Sequence, residues 1–280
     1  MQIEFTKMHG LGNDFVVIDA INQSISLSIE QIKAISDRHF GIGCDQLLLV
    51  EKSGVEDADF RYRIYNAEGS EVEQCGNGAR CFAVFVRDQG LTDKTEISVV
   101  TNSGKIILKV ESEGVVRVDM GAPILNPQDI PFVSDKQATT YTLNLEGGGD
   151  ENKITFSAVS MGNPHAVILV DDVDKAGVER VGKAVQKHPY FPHSVNVGFM
   201  QIIDRSTVKL RVYERGVGET QACGSGACAA VVAGIKRALL DATVETQLLG
   251  GNLSIHWEGN QNPVMMSGPT ATVFKGTITL

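Results

Sequence analysis

No run of basic residues occurs in this chain, and a formal net charge of −9 points away from nucleic acid, whose binding rests on clustered Lys and Arg. Long apolar stretches are also missing. None could span a bilayer, and Met1 to Gly10 lacks the charged start and apolar run of an export signal, so a cytoplasmic protein is expected. Cysteine is scarce and odd in number. The five thiols include no CxxC pair, since five residues separate Cys75 from Cys81 and four separate Cys223 from Cys228, which argues against a full disulfide framework and against zinc. What remains is a globular composition, 42% hydrophobic and 21% charged with 29 glycines in 280 residues. That length suits one large domain or two ordinary ones.

The stretch that organises the rest is Gln74-Cys75-Gly76-Asn77-Gly78-Ala79-Arg80-Cys81, because its core recurs as Ala222-Cys223-Gly224-Ser225-Gly226-Ala227-Cys228. In each copy a thiol precedes a Gly-x-Gly turn and then a small or apolar run, the order of a loop feeding a helix. The first N–H groups of a helix have no intrahelical partner and the macrodipole adds partial positive charge, so a thiol there ionises more readily and a carboxylate can be cradled beside it. Each copy can be both a base and an anion site. The remaining thiols, Cys44, Cys81 and Cys228, read as small packing residues, and His39, His188, His193 and His256 show no evident role.

Taken in order, Phe5 to Met8 and Phe15 to Ile18 read as strands around a loop with Asn13 at its tip. Ser28 to His39 reads as a helix with Ser28 as N-cap and Ile29, Ile32 and Ile35 at helical spacing. Leu47 to Val50 and Phe60 to Asn66 read as strands before the first cysteine loop. The close spacing of Glu96 to Thr101, Lys105 to Val110 and Val115 to Met120 predicts antiparallel hairpins. From Gly121-Ala122-Pro123 through Gly147-Gly148-Gly149-Asp150 the pattern loosens, and then the order begins again.

The repeat is explicit when the chain is slid along itself. Cys75 and Cys223 are 148 positions apart (223 − 75), and at that offset Arg63, Tyr65 and Glu71 fall on Arg211, Tyr213 and Glu219 without a gap. An offset of 150 (163 − 13) puts Gly12-Asn13 on Gly162-Asn163 and Gln46 on Asn196. Duplicated halves of this kind pack with pseudo-two-fold symmetry, an arrangement that would bring the two thiols to face each other. Opposed acid and base groups suit racemisation or epimerisation, in which one thiol removes a proton from carbon and the other returns one to the opposite face. Loop amides would stabilise the carbanion as an oxyanion hole does. The same pair of thiols leaves open a proline or hydroxyproline racemase, or a redox or metal-binding module.

Five motifs in order narrow this: His9-Gly10-Leu11-Gly12-Asn13-Asp14-Phe15, Tyr65-Asn66-Ala67-Glu68-Gly69-Ser70, Gln74 to Cys81, Met161-Gly162-Asn163-Pro164-His165, and Tyr213-Glu214-Arg215-Gly216-Val217-Gly218-Glu219-Thr220 through Gly226. Together they cover nearly the whole chain and resemble diaminopimelate epimerase. The resemblance implies interconversion of L,L- and meso-2,6-diaminopimelate, without cofactor or metal, in lysine and peptidoglycan-precursor synthesis, by a homodimer that takes a small-molecule substrate and neither nucleic acid nor membrane. It implies that Cys75 and Cys223 are the catalytic thiols, with His165 and Glu214 near them setting their protonation. Asn13, Gln46, Asn66, Asn163, Asn196, Glu214 and Arg215 would hold the substrate, and Gly76, Asn77, Gly224 and Ser225 its α-carboxylate. Two departures stand out: Tyr213 where Trp is frequent, and Phe274 near a C-terminal aromatic, commonly Tyr, at a dimer interface. The fold expected is α+β, two pseudo-symmetric domains, each a curved, mostly antiparallel, barrel-like sheet wrapped around a central helix. The halves are expected at 1–121 and 122–266, with the last strand, about 267–280, returning to the first.

Overall fold

The computed structural model describes residues 1–72, 75–102, 104–112, 114–145 and 152–280. Gln74 and the Gly147 to Asp150 stretch named above lie outside the described residues. The chain divides into two compact units, Met1–Asp119 with Ser267–Leu280, and Met120–Met266.

The first unit holds β1 (Gln2–Gly10), β2 (Asn13–Asp19), α1 (Ile29–Ser36), β3 (Gln46–Lys52), β4 (Phe60–Asn66), β5 (Glu71–Val72), α2 (Gly76–Asp88), β6 (Glu96–Thr101), β7 (Gly104–Ser112) and β8 (Val115–Asp119). The second holds β9 (Tyr141–Asn144), β10 (Lys153–Ser160), β11 (Pro164–Leu169), α3 (Val178–Gln186), β12 (Asn196–Asp204), β13 (Thr207–Glu214), β14 (Gly218–Thr220), α4 (Gly224–Lys236), β15 (Thr243–Leu248) and β16 (Gly251–His256). The chain then runs through β17 (Met265–Pro269), which spans the boundary, to β18 (Ala271–Thr279), antiparallel to β1.

Strand pairing repeats between the units. From β1 to β7 the successive pairs are β1–β2 antiparallel, β2–β3 parallel, β3–β4 and β4–β5 antiparallel, β4–β6 parallel and β6–β7 antiparallel. From β10 to β16 the same senses recur in the same order. Each parallel pair needs a crossover, and a helix supplies it: α1 and α2 in the first unit, α3 and α4 in the second. The sequence is therefore duplicated down to the sense of every strand pair in these runs.

Each sheet curls around its second helix. α2 packs against β1, β2 and β3 and also against β7 and β8, at the far end of the strand order, which only a strongly curved sheet allows. Phe15, Tyr62 and Ile64 point at α2, with Tyr62 edge-on to Phe82 at 5.4 Å. The alternate residues Val16, Ile18, Leu47 and Leu49 point the other way, onto Ile32 and Ile35 of α1. Covered on both faces, these strands read as continuous apolar runs. α4 is buried on every side from Gly226 to Gly234, the signature of a core helix, and its small residues let the sheet close around it.

The first helix is shorter than its periodicity predicts. Ser28 caps it as expected, in a reciprocal box with Gln31. It stops at Ser36 because the Asp37 carboxylate takes the amides of His39 and Phe40, each at 2.7 Å, and turns the chain away. Among the described residues no helix is long and apolar enough to cross a membrane.

Candidate functional site

Cys75 and Cys223 are the N-cap residues of α2 and α4, both with extended backbone, and the carbonyl of each accepts the first helical hydrogen bond, from Ala79 at 2.8 Å and Ala227 at 2.9 Å. The Gly-x-Gly after each thiol has a steric reason. A Cβ on Gly78 would lie 2.8 Å from the Tyr62 hydroxyl, and one on Gly226 would lie 3.1 Å from Val212 and 3.2 Å from Cys223 Sγ. Neither has positive φ. These two glycines are needed for space against the strands.

The first unit lines up Asn13, Gln46 and Asn66 at one end of its sheet, since Asn13 opens β2, Gln46 opens β3 and pairs with Asn66, and Asn66 ends β4. Gln46 Nε2 donates to Asn66 Oδ1 at 3.0 Å. Asn66 Nδ2 in turn donates to Glu68 Oε1 and Ser70 Oγ. Asn13 Oδ1 accepts from Cys75 Sγ at 3.7 Å and from Asn77 Nδ2 at 3.3 Å, which ties the row to the thiol. Gly76 and Asn77 form the first turn of α2. The half-buried Cys75 is further fixed by Tyr62, whose hydroxyl donates to its carbonyl at 3.2 Å.

In the second unit the row is rebuilt with charge. Asn163 precedes β11, His165 lies on it and pairs with Asn196 at the start of β12, and Glu214 ends β13. Cys223 Sγ donates to Glu214 Oε2 at 3.0 Å, and Thr220 Oγ1 donates to Glu214 Oε1 at 2.5 Å. Burial first, and then the Glu214 carboxylate, push the Cys223 thiol well above its ordinary range, against the Gly226 amide and the Ser225 hydroxyl, which pull the other way. The ease of ionisation expected from a helix N-terminus is therefore overridden at Cys223. His165 is buried beside Asn163 Oδ1 at 3.0 Å and Ser225 Oγ at 3.1 Å, and burial, with the Arg215 charge adding to it, drives the imidazole down to about 3. It is neutral at physiological pH. Its link to the thiol runs through Ser225, whose hydroxyl is 3.7 Å from Cys223 Sγ. The Arg215 amide donates to Asn196 Oδ1 and its Nη1 to the His193 carbonyl. Gly224 and Ser225 open α4.

Both rows are braced by the same ion pair: Arg63 forks onto Glu71 at 2.9 and 2.8 Å, and Arg211 onto Glu219 at 2.6 and 2.9 Å, across the hairpin that leads into each cysteine loop. The other thiols are core residues, Cys44 against Ser36 and Cys81 against Thr270, with burial pushing Cys81 up to about 12. Sequence reasoning missed Tyr62, Thr220 and the charged cluster behind Asn13. Thr220 and Asp14 stood inside motifs already singled out, but nothing local signals what they contact.

A duplicated α+β chain with this order of strand pairs belongs to a recognisable structural class. A phenazine biosynthesis protein of the PhzF family from Bacillus anthracis matches over 100% of both chains with a TM-score of 0.70 at 15% identity. A hydroxyproline epimerase from Agrobacterium vitis matches over 99% of this chain and 92% of its own, with a TM-score of 0.68 at 13% identity. Such likeness carries the fold alone. Sequence carries more: a protein of Nitrosomonas europaea named diaminopimelate epimerase is 60% identical over 100% of both chains. The diaminopimelate epimerase family model matches residues 5–126 and 157–273. The chain belongs to the diaminopimelate epimerase family; it is an isomerase acting on a small molecule.

Proposed function

We propose that Cys75 and Cys223 are the acid–base pair that inverts one α-carbon of 2,6-diaminopimelate, interconverting the L,L and meso isomers in lysine and peptidoglycan-precursor synthesis. The observation that carries this reading is the Cys223–Glu214 contact, which keeps a proton on a buried sulfur at the N-terminus of a core helix. A two-base inversion needs one sulfur charged and one protonated. With Cys223 as the donor, Cys75 as thiolate takes the α-proton, and the carbanion collects a proton from Cys223 on its opposite face. One C–H bond breaks and one forms, and the two sulfurs exchange protonation states, so the enzyme is left set for the reverse isomer. The amides of Gly76, Asn77, Gly224 and Ser225 are oriented by their helices to receive the α-carboxylate, where charge builds as the proton leaves.

The unreactive end of diaminopimelate carries its own carboxylate and ammonium. Arg215 offers a forked donor for the carboxylate, and the amide oxygens of Asn66, Asn163 and Asn196 suit the ammonium. Gln46 Oε1, buried and without a partner among the described residues, adds a further acceptor. His165, neutral and set between Asn163 and Ser225, orients those two groups rather than shuttling protons. A cytoplasmic homodimer is the proposed form, supported by Val273 and Phe274, which stand half exposed on β18; a monomeric mass in solution would remove that part of the reading.

Solvent deuterium tests the activity. Incubated in deuterated water with each candidate, the protein should label the α-carbon of diaminopimelate; label entering proline while diaminopimelate stays unlabelled would overturn the assignment. Glu214→Gln tests the donor's setting. With the carboxylate gone, the alkylation midpoint of Cys223, followed in a Cys75→Ala background, should fall by about one pH unit, the shift an adjacent like charge ordinarily produces. The linkage has a definite sign. A thiol that holds its proton more tightly folded than unfolded contributes stability below the ordinary thiol range, and that stability is lost as pH climbs above it. Glu214→Gln should therefore flatten the alkaline side of the stability profile.

A further inference from the structure

Behind Asn13 lies a charged cluster that touches neither thiol. Asp45 Oδ2 accepts from Asn13 Nδ2 at 3.0 Å and from the Asp14 amide at 3.1 Å. Arg38 forks onto Asp14 at 2.9 and 2.8 Å, and its Nη2 also reaches Asp45 Oδ1 at 2.7 Å. Lys7, nearly buried, donates to Asp14 at 2.6 Å and to the Gly43 carbonyl. Burial pushes the Asp14 carboxyl up, but Arg38 and Lys7 overcome it and hold the group well below the usual carboxylate range. Two cations and two carboxylates thus form a charge-balanced lattice, one oxygen of which receives the Asn13 amide nitrogen.

We propose that Asp45 is a positioning residue for the reaction: by holding Asn13 Nδ2 it fixes the amide with Oδ1 toward Cys75 Sγ, and Arg38 holds Asp45 in place to do so. An amide has a donor end and an acceptor end, so the partner of one end decides what the other presents. With a carboxylate behind it, Asn13 can present only its oxygen to the sulfur. That oxygen takes the S–H hydrogen bond when Cys75 is protonated and fixes the direction of the thiol. The device belongs to the first half alone, because the positions equivalent to Asp14 and Asp45 at the 150-residue offset are Pro164 and Val195. In the second half, Asn163 is fixed by His165 instead.

The inference rests on reading Cys75 as one of the two acid–base groups, so its test uses a readout that needs no turnover. In Asp45→Ala the acceptor behind Asn13 Nδ2 is gone, and nothing on that side holds the Asn13 amide with its oxygen toward Cys75. Once the sulfur is a thiolate, the released Asn13 amide turns over to aim its NH2 at Cys75, and the Asn77 amide, which donates to the Asn13 oxygen at 3.3 Å, turns with it. A donor stabilises the thiolate, and the pH midpoint for alkylation of Cys75 by iodoacetamide, read by mass spectrometry in a Cys223→Ala background, should fall by about one unit, roughly tenfold in thiolate at fixed pH. The same substitution added to Asn13→Ala should leave the midpoint where Asn13→Ala alone puts it. In the chain with both thiols intact, kcat should fall about tenfold or more while KM moves less than about threefold, the mark of a transition-state effect. The other groups facing this loop are Tyr62, Cys81 and Arg80, and they are common to every variant compared. An unmoved midpoint in a folded Asp45→Ala protein, or an equal shift with and without the Asn13 side chain, overturns the proposal. Should Asp45→Ala fail to fold, Arg38→Gln carries the test: it frees Asp45 from the half-exposed side and should lower the Cys75 midpoint in the Asn13 chain only.

Discussion

Cys75→Ala and Cys223→Ala should each lose epimerisation by about a thousandfold or more, within the ~10²–10⁴ that a positioned acid or base supplies and the further loss of the group that must reset the cycle. The double variant should be little worse than either single one, because two groups that act as a unit are not additive. A subtler result separates the roles. A chain that keeps one thiolate can still remove the α-proton and return a solvent-exchanged one to the same face, so Cys223→Ala should wash deuterium into one isomer far faster than it inverts it, while Cys75→Ala, left with the sulfur that burial and Glu214 keep protonated, should do so more slowly. Chiral chromatography of labelled diaminopimelate distinguishes the two processes. Cys44→Ala is the control, since its sulfur is buried against Ser36. Equal losses in all three variants, with a common fall in melting temperature, would mean that the cysteines matter for stability alone.

What the sequence makes legible is whatever depends on near neighbours. The helix-capping place of both cysteines follows from thiol, glycine and apolar run in order, and the N-cap at Ser28 from Gln31 three residues on. The duplication follows from offsets of 148 and 150, and β4 and β6 run over the residues read from the sequence as strands. Legibility ends where a contact joins distant segments. Glu214 was expected to set protonation, but the larger cause that holds the proton on Cys223 is burial, which the helix-terminus argument could not weigh. Asp45 meets Asn13 only because β2 and β3 are parallel neighbours, so a residue 32 positions away becomes adjacent. Gly78 and Gly226 look like turn glycines and prove to be spaces cut for Tyr62 and Val212. The second-half crossover helix, α3, carried no cap signal: Gly177 stands at its N-cap and makes no side-chain bond there.

The looseness read into residues 121 to 150 is the clearest case, and it leads to the largest stability effect expected here. Phe132 lies in irregular chain, yet it is 4% exposed and its ring contacts Tyr141 at 4.6 Å, Phe191 at 5.2 Å, Phe156 at 5.5 Å and Tyr190 at 6.0 Å. Those partners come from β9, β10 and the segment after α3, so one ring joins three parts of the second unit. Periodicity cannot find such a residue, because a plug in a loop has no period. Phe132→Ala should cost about 3–5 kcal/mol, since four rings lose a neighbour and the surrounding strands cannot collapse into the space. At ~2–4 °C per kcal/mol for a chain of this order of size, the melting temperature should fall by roughly 10 °C in calorimetry. Phe132→Leu should recover more than half of that, because most of the buried area returns without the edge-to-face geometry. Below the transition kcat should stay within about twofold, because none of the rings in the cluster belongs to the Cys223, Glu214 and Ser225 group. A fall of less than ~2 °C for Phe132→Ala would mean that the aromatic group closes over the gap, and that strand pairing alone holds the second unit together.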